Sequence, residues 1–184
     1  MPRFTRAELE AARSRTIEDV LPGPGDPPLR VLFCGINPGL VSAATGHHFA
    51  RPGNRFWPAL HGAGFTPRVL LPAEQGELRS LGLGITNMVP RATARADELT
   101  PAELVAGGAR LRALVAEWRP RWLAVVGLTA YRTAFGKPRA SVGPQEERLG
   151  TTGVWVLPNP SGLNAHWQLP AMIEEYARLR AAAA

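Results

Sequence analysis

The sequence predicts an α/β fold: a single three-layer domain with a central, mainly parallel four-stranded sheet flanked by helices. Three observations carry this. Apolar runs at Arg30–Gly35, Leu83–Met88, Trp122–Val126 and Val154–Leu157 have the length and residue types of strands buried on both faces. Helical stretches separate the runs, the pattern of parallel strands joined by crossover helices. A chain of 184 residues, 45% apolar and 20% charged, suits one globular domain with a real core.

The elements follow in order. Thr5 to Val20 mixes Glu8, Glu10, Glu18 and Asp19 with Arg and Ala and reads as a surface helix. Leu21 to Pro28, rich in Pro and Gly, is a stiff linker. Residues 1–28 are therefore an N-terminal extension and linker, and residues 29–184 the domain, with its core starting at Leu29. After the first strand comes a long loop, Val41 to Asn54, then a helix at Arg55–Ala63. Thr66-Pro67 opens another helical stretch. Val89 to Leu99 is a basic loop. Thr100-Pro101-Ala102-Glu103 supplies an N-cap, an N1 proline and an N3 glutamate, and the helix runs to about Trp118 on a stripe of Leu104, Leu111, Leu114 and Val115. A short helix leads from Gly127 toward Phe135. Gly136 to Gly153 reads as a polar, mobile stretch. The last helix, Leu169 to Arg180, ends in a fraying alanine tail.

Composition narrows function. No apolar run has the length of a membrane span, and Met1 to Val20 lacks the apolar stretch of a signal peptide. Cys34 is the single cysteine, which excludes a disulfide framework, a multi-thiolate iron–sulfur cluster and a Cys-rich zinc site; it reads as a small buried hydrophobe. A cytoplasmic, nucleoid-associated monomer is expected. The net charge of +6 and pI of about 10.9 point to an anionic partner, nucleic acid first. Lys137 is the only lysine; the other twenty of the 21 basic residues are arginine.

Two loops carry the chemistry. Gly35-Ile36-Asn37-Pro38-Gly39-Leu40 and Asn159-Pro160-Ser161-Gly162-Leu163 each follow a strand, and loops at the carboxyl ends of parallel strands are where open α/β sheets bind ligands. Pro38 restricts Asn37 to extended backbone, and Gly39 permits close approach of a ligand. The alternative for Asn37 is a side chain that merely closes its own turn. Gly46-His47-His48-Phe49 follows, too poor in further ligands for a metal site. Phe49 suits a ring offered to a ligand, whereas Phe56 and Trp57 suit the core. Leu163, at a loop tip, either packs back or acts as a wedge between bases.

These segments resemble the mismatch-specific uracil/thymine DNA glycosylases, within the uracil-DNA glycosylase superfamily, over about Leu29 to Arg180. The resemblance rests on Gly35–Leu40, Gly46–Phe49, Pro52-Gly53-Asn54-Arg55-Phe56-Trp57, Thr86-Asn87-Met88-Val89 and Asn159–Leu163, in that order. It implies double-stranded DNA holding a mismatched or damaged pyrimidine as partner, no cofactor and no metal. It implies that Asn37 positions the hydrolytic water, Phe49 stacks on the flipped base, and Ile36 and Gly39 shape the pocket. It places Ser42 and His48 against the pyrimidine, and Gly162 and Leu163 in the gap the base leaves. Asn159, Ser161 and Asn164 complete the DNA-binding loop.

Two positions depart from the family pattern. Ala165 stands where bacterial relatives carry an arginine, which leaves Asn164 or His166 to make that contact. Asp97 stands in the basic loop in place of an amide; it is either an ion-pair partner of Arg91 or Arg95, a helix N-terminal charge, or a second water-activating group. With one lysine, in the Gly136-Lys137-Pro138 turn, a Schiff-base lyase step is not expected, and the enzyme reads as monofunctional. Two other readings stay open: a nucleoside or nucleotide hydrolase using the same cleft, and a mismatch-binding module without catalysis.

Overall fold

The computed structural model describes residues 4–184, so Met1–Arg3 of the expected N-terminal extension lie outside the described residues. The elements are α1 (Arg6–Ala11), β1 (Val31–Gly35), α2 (Leu40–Thr45), α3 (Phe56–Gly62), β2 (Leu83–Asn87), α4 (Pro101–Trp118), β3 (Trp122–Val126), α5 (Leu128–Phe135), β4 (Gly143–Leu149), β5 (Thr152–Leu157) and α6 (Leu169–Ala182). The sheet has five strands in the order β2-β1-β3-β5-β4. β1, β2, β3 and β5 are mutually parallel; β4 pairs with β5 antiparallel.

Parallel strands between two helical layers bury both faces, and alternate residues supply two cores. Phe33, Ile85, Val126 and Leu157 face α3 and α6, where Phe56, Leu60 and Tyr176 meet them. Leu32, Cys34, Val125 and Val156 face α4 and α5, where Leu111, Val115 and Tyr131 meet them. Cys34 is fully buried, and burial pushes its thiol pKa up. The three-layer class expected from the sequence holds, with one strand more than expected.

That strand, β4, lies inside the stretch read as a mobile loop. Its burial alternates along Gly143 to Leu149, with Glu146 and Arg148 among its charged residues. A charged edge strand carries no apolar signature and blunts pairing with other chains. Other expectations also shift. Part of the expected Val41–Asn54 loop is helical, because α2 is only six residues long and shows no period; Gly46 closes it in a left-handed conformation. Thr66-Pro67 opens no helix; the chain turns helical as a 3-10 segment from Pro72 to Leu81. Thr5 caps a helix that stops at Ala11, followed by a 3-10 turn, Ala12–Ser14. The core begins before Leu29, since Val20 is buried and forms an antiparallel bridge with Ile85. The alanine tail does not fray: α6 runs to Ala182, and Ala183 is fully buried. Among the described residues no helix is long and apolar enough to cross a membrane.

The strand order sets the position of the site. The chain moves from β1 outward to β2, then crosses back over β1 to β3. The crevice outside the carboxyl ends of such strands is the ligand position of open sheets. Gly35 and Asn87 are partners at the ends of β1 and β2, Val126 ends β3, and Asn159 follows β5.

Candidate active site

A cleft of about 710 Å³ opens at these strand ends. Ten of the twelve residues expected at the site line it: Ile36, Asn37, Gly39, Ser42, His48, Phe49, Asp97, Asn159, Ser161 and Leu163. The two Asn-Pro loops, some 120 residues apart, therefore share one crevice. Gly162 and Asn164 do not line it; they build the loop behind Leu163.

Asn37 is held from outside its own turn. Its Nδ2 donates to the Arg91 carbonyl at 2.9 Å and to Thr93 Oγ1 at 2.7 Å, with a longer contact to the Pro38 carbonyl at 3.3 Å. The Thr93 N–H returns a bond to the Pro38 carbonyl at 3.1 Å. With its N–H groups so used, Asn37 keeps Oδ1 without a partner among the described residues. A carboxamide oxygen accepts a hydrogen bond but is a poor base, so this atom can orient a water rather than ionise it.

The Ser42 hydroxyl also has a structural task. Its Oγ accepts the Ala50 N–H at 3.0 Å and pins the loop that carries His48 and Phe49. Phe49 has φ 53°, a left-handed conformation uncommon for an aromatic residue. One face of its ring stacks on Phe56, with centroids 4.0 Å apart. The ring lines the cleft, so it is at once a core contact and a platform. Glycine at 35 makes room for this: a Cβ there would lie 2.7 Å from Asn87 Oδ1 and 3.2 Å from the Phe49 ring.

His48 is 2% exposed, and both ring nitrogens are engaged. Nε2 lies 3.0 Å from the Glu18 carbonyl oxygen and Nδ1 lies 3.3 Å from Asn87 Nδ2. Burial lowers its pKa, against the smaller opposing effects of the Glu18 carbonyl and Asp19. His48 thus lines the cleft with both ring nitrogens already engaged, one of them by Asn87. Asn87 is the main residue that sequence reasoning missed. It was visible only inside the Thr86–Val89 motif, and its placement over Gly35 depends on strand register.

Asp97 makes the ion-pair contact with Arg95, at 2.6 Å, while Arg91 pairs instead with Glu103 at 2.7 Å. The Asp97 carboxylate therefore stands exposed at the rim, paired with Arg95.

Arg55 is the second missed residue. Its guanidinium donates to the carbonyls of Asn164 at 2.9 Å, Trp167 at 2.7 Å and Gly162 at 3.1 Å, and its backbone N–H donates to the Pro160 carbonyl at 2.8 Å. Asn159 Oδ1 accepts the Ser161 N–H, and Asn164 Nδ2 donates to the Asn159 carbonyl. Gly162 sits so close that a Cβ would meet the Gly53 carbonyl oxygen at 2.6 Å. This rigid loop holds Leu163 out, 76% exposed, at the cleft edge. Leu163 does not pack back.

The sequence matches the family model of the Uracil DNA glycosylase superfamily over residues 22–180. The chain belongs to the uracil DNA glycosylase superfamily. Members of this superfamily are DNA glycosylases, hydrolases of the bond between base and deoxyribose, and the basic charge of the chain fits a DNA partner. Lys137, the only side-chain amine, lies away from the cleft, 3.9 Å from Glu147 Oε2.

Proposed function

We propose that this superfamily member is a monofunctional, mismatch-directed glycosylase. It extrudes uracil, and thymine or modified pyrimidines, mainly opposite guanine, and hydrolyses the N-glycosidic bond to leave an intact abasic site. The observation that carries the reading is the meeting of the unpartnered Asn37 Oδ1 and the exposed Leu163 on one cleft.

Rotating a nucleotide out of a duplex costs a few kcal/mol, less at a wobble pair, which selects mispairs without reading the partner strand. Leu163, braced by Arg55, fills the gap. The base slides over the floor formed by Gly35, with Phe49 as stacking platform and Ile36 and Gly39 as walls. Asn87 presents its carboxamide to the base edge. As the glycosidic bond stretches, negative charge moves onto the pyrimidine and the backbone of Ile36 to Leu40 faces it. Asn37 Oδ1 aims a water at the sugar carbon. Asp97, paired with Arg95, acts at the DNA-facing rim and not as the base that activates this water. Lacking a strong base, the enzyme relies on the leaving group, and turnover is modest.

The test is a panel of labelled oligonucleotides carrying G·U, G·T, A·U or single-stranded uracil, treated with alkali after incubation to cut at abasic sites. G·U is expected to be the best substrate. Asn37→Ala is expected to lower kcat by about 10²- to 10³-fold, while duplex affinity changes little. No borohydride-trapped covalent complex is expected. Failure to release base from any uracil duplex would leave the mismatch-binding reading in its place, and competition by free nucleosides but not by duplex would favour the small-molecule one.

A further inference from the structure

The chain ahead of β1 runs across the outside of the loop that holds Asn37. The family model matches residues 22–180, so α1 and the turn after it lie before the matched stretch. They are nevertheless built into the fold. Ala12 is fully buried in a small cluster with Ala43 of α2 and Ala92, against Leu40 and Ala44. The Arg13 guanidinium donates to Glu98 Oε2 at 2.9 Å. Ile17 lines the cleft, and Val20 is bridged to Ile85. We propose that this N-terminal segment is a strap that clamps the loop from Arg91 to Glu98 and so fixes the orientation of the Asn37 carboxamide. Ala12 and Arg13 are then positioning residues for the hydrolytic water. The proposal rests on the base-excision reading above, in which Asn37 Oδ1 aims that water.

Asn37 takes its orientation from the loop. Its Nδ2 finds the Arg91 carbonyl at 2.9 Å and Thr93 Oγ1 at 2.7 Å, both on a stretch outside every helix and strand. The inner side of this stretch is tied to the domain: the Thr93 N–H donates to the Pro38 carbonyl, and Arg91 donates to Glu103. The strap meets it from the other side. Ala92 sits between the two residues that hold Nδ2 and is 1% exposed, packed in the cluster with Ala12 and Ala43. At the end of the loop the Glu98 carboxylate is used twice. Its Oε1 accepts the Arg95 N–H at 2.9 Å, and its Oε2 accepts from Arg13.

The strap is itself anchored at both ends. Thr5 and Glu8 cap α1 reciprocally, and the Val20 N–H and carbonyl both bond to Ile85, at 2.8 and 2.9 Å. An exposed ion pair such as Arg13 with Glu98 adds little to stability, so its value lies in geometry. Displacing a group that orients a reactant by about 1 Å can cost up to roughly 10²-fold in rate. Lifting the strap uncovers Ala92 and frees the carbonyl and hydroxyl that grip Nδ2, and the carboxamide can then turn away from the sugar.

The test uses the full-length protein. Ala12→Gln puts a longer, uncharged polar side chain where none can be buried, without altering the charge that DNA meets. Single-turnover base release from G·U duplex is expected to slow by roughly tenfold or more, with duplex affinity changed by less than about twofold. In an Asn37→Ala background the same substitution is expected to slow release no further, because the strap acts through that carboxamide. A merely structural role would lower Tm with the rate unchanged, or multiply the two losses, and either result overturns the proposal. A second readout needs no activity. In ¹⁵N-asparagine-labelled protein the Asn37 side-chain NH₂ signals, identified by their loss in Asn37→Ala, are expected to exchange with water faster in Ala12→Gln than in wild type; equal exchange overturns the strap. If Ala12→Gln does not fold, Arg13→Glu decides. It is expected to slow release by roughly two- to fivefold, with Arg13→Lys restoring the wild-type rate, and an unchanged rate and exchange in Arg13→Glu overturn the proposal. Wild-type protein that releases no base from any duplex overturns the glycosylase reading, whereas the NH₂ exchange tests the strap by itself.

Discussion

Tyr176 is fully buried beneath the sheet, its ring stacked on Phe33, and its hydroxyl has no protein hydrogen-bond partner among the described residues. Burial pushes its pKa up for the same reason: the charged form has nothing to solvate it. A buried polar group without a partner costs about 1–3 kcal/mol, so Tyr176→Phe is expected to stabilise the fold by about 1 kcal/mol, raising Tm by roughly 2–4 °C in a thermal melt. His48 gives a pH signature with a definite sign. Its folded pKa is lowered from the ordinary 6.5, by burial first and with His47 adding to it, while Asp19 and the Glu18 carbonyl oppose the shift. Above the ordinary value His48 is neutral whether folded or not. Below it the unfolded chain binds a proton that the folded chain resists, so stability is lost as the pH falls, by up to about 1.4 kcal/mol per pH unit. Urea midpoints at pH 7.5 and 5.5 should differ more for the wild type than for His48→Leu. At this scale the sequence showed some residues and hid others. Asn37 and Leu163 were legible because a proline-locked amide after a strand and an aliphatic loop tip are odd locally. Asn87, Arg55 and Glu18 were not, because their partners lie 39, 109 and 30 positions away in the chain and no local pattern encodes those contacts.

Among the elements, α4 was the most legible. Thr100 accepts from the Glu103 N–H, and Glu103 reaches back to the Thr100 N–H, the reciprocal box that the four-residue spacing encodes. β4 and α2 were hidden for opposite reasons: one is a charged edge, the other too short to repeat. The loop from Asn159 to Trp167 is the element on which the DNA reading turns, and besides its internal hydrogen bonds it is braced from outside by the Arg55 guanidinium. Arg55 spans three carbonyls of this loop, a fork that the point charge of lysine cannot copy. Arg55→Ala and Arg55→Lys are both expected to destabilise the protein, the first by about 2 kcal/mol in chemical denaturation. Both should raise KM for a G·U duplex more than they lower kcat, because the loop that carries Leu163 loses its brace. If instead kcat alone falls and KM stays put, Leu163 does not belong to the binding step.

At the scale of the whole molecule, the +6 charge must be weighed against how many arginines are free to meet phosphate. Several near the cleft are already engaged: Arg91 with Glu103, Arg95 with Asp97, and Arg55 with carbonyls of its neighbouring loop. Arg51 lines the same cleft, is exposed, and has no ion pair or side-chain hydrogen bond among the described residues. Only a minority of the positive charge is thus positioned to displace counterions at the site, and the composition alone overstates the DNA footprint. Each phosphate neutralised lowers the slope of log K against log salt by about 0.9. A footprint of roughly three to four phosphates gives a slope of about −3 for G·U and matched duplex alike, since this part of the binding is blind to sequence. Arg51→Ala should flatten that slope by about one unit on both duplexes and leave the ratio of their affinities unchanged. Fluorescence anisotropy titrations between 50 and 200 mM salt, at roughly constant pH, measure both quantities. A slope unaltered by Arg51→Ala would move the phosphate track away from this rim of the cleft.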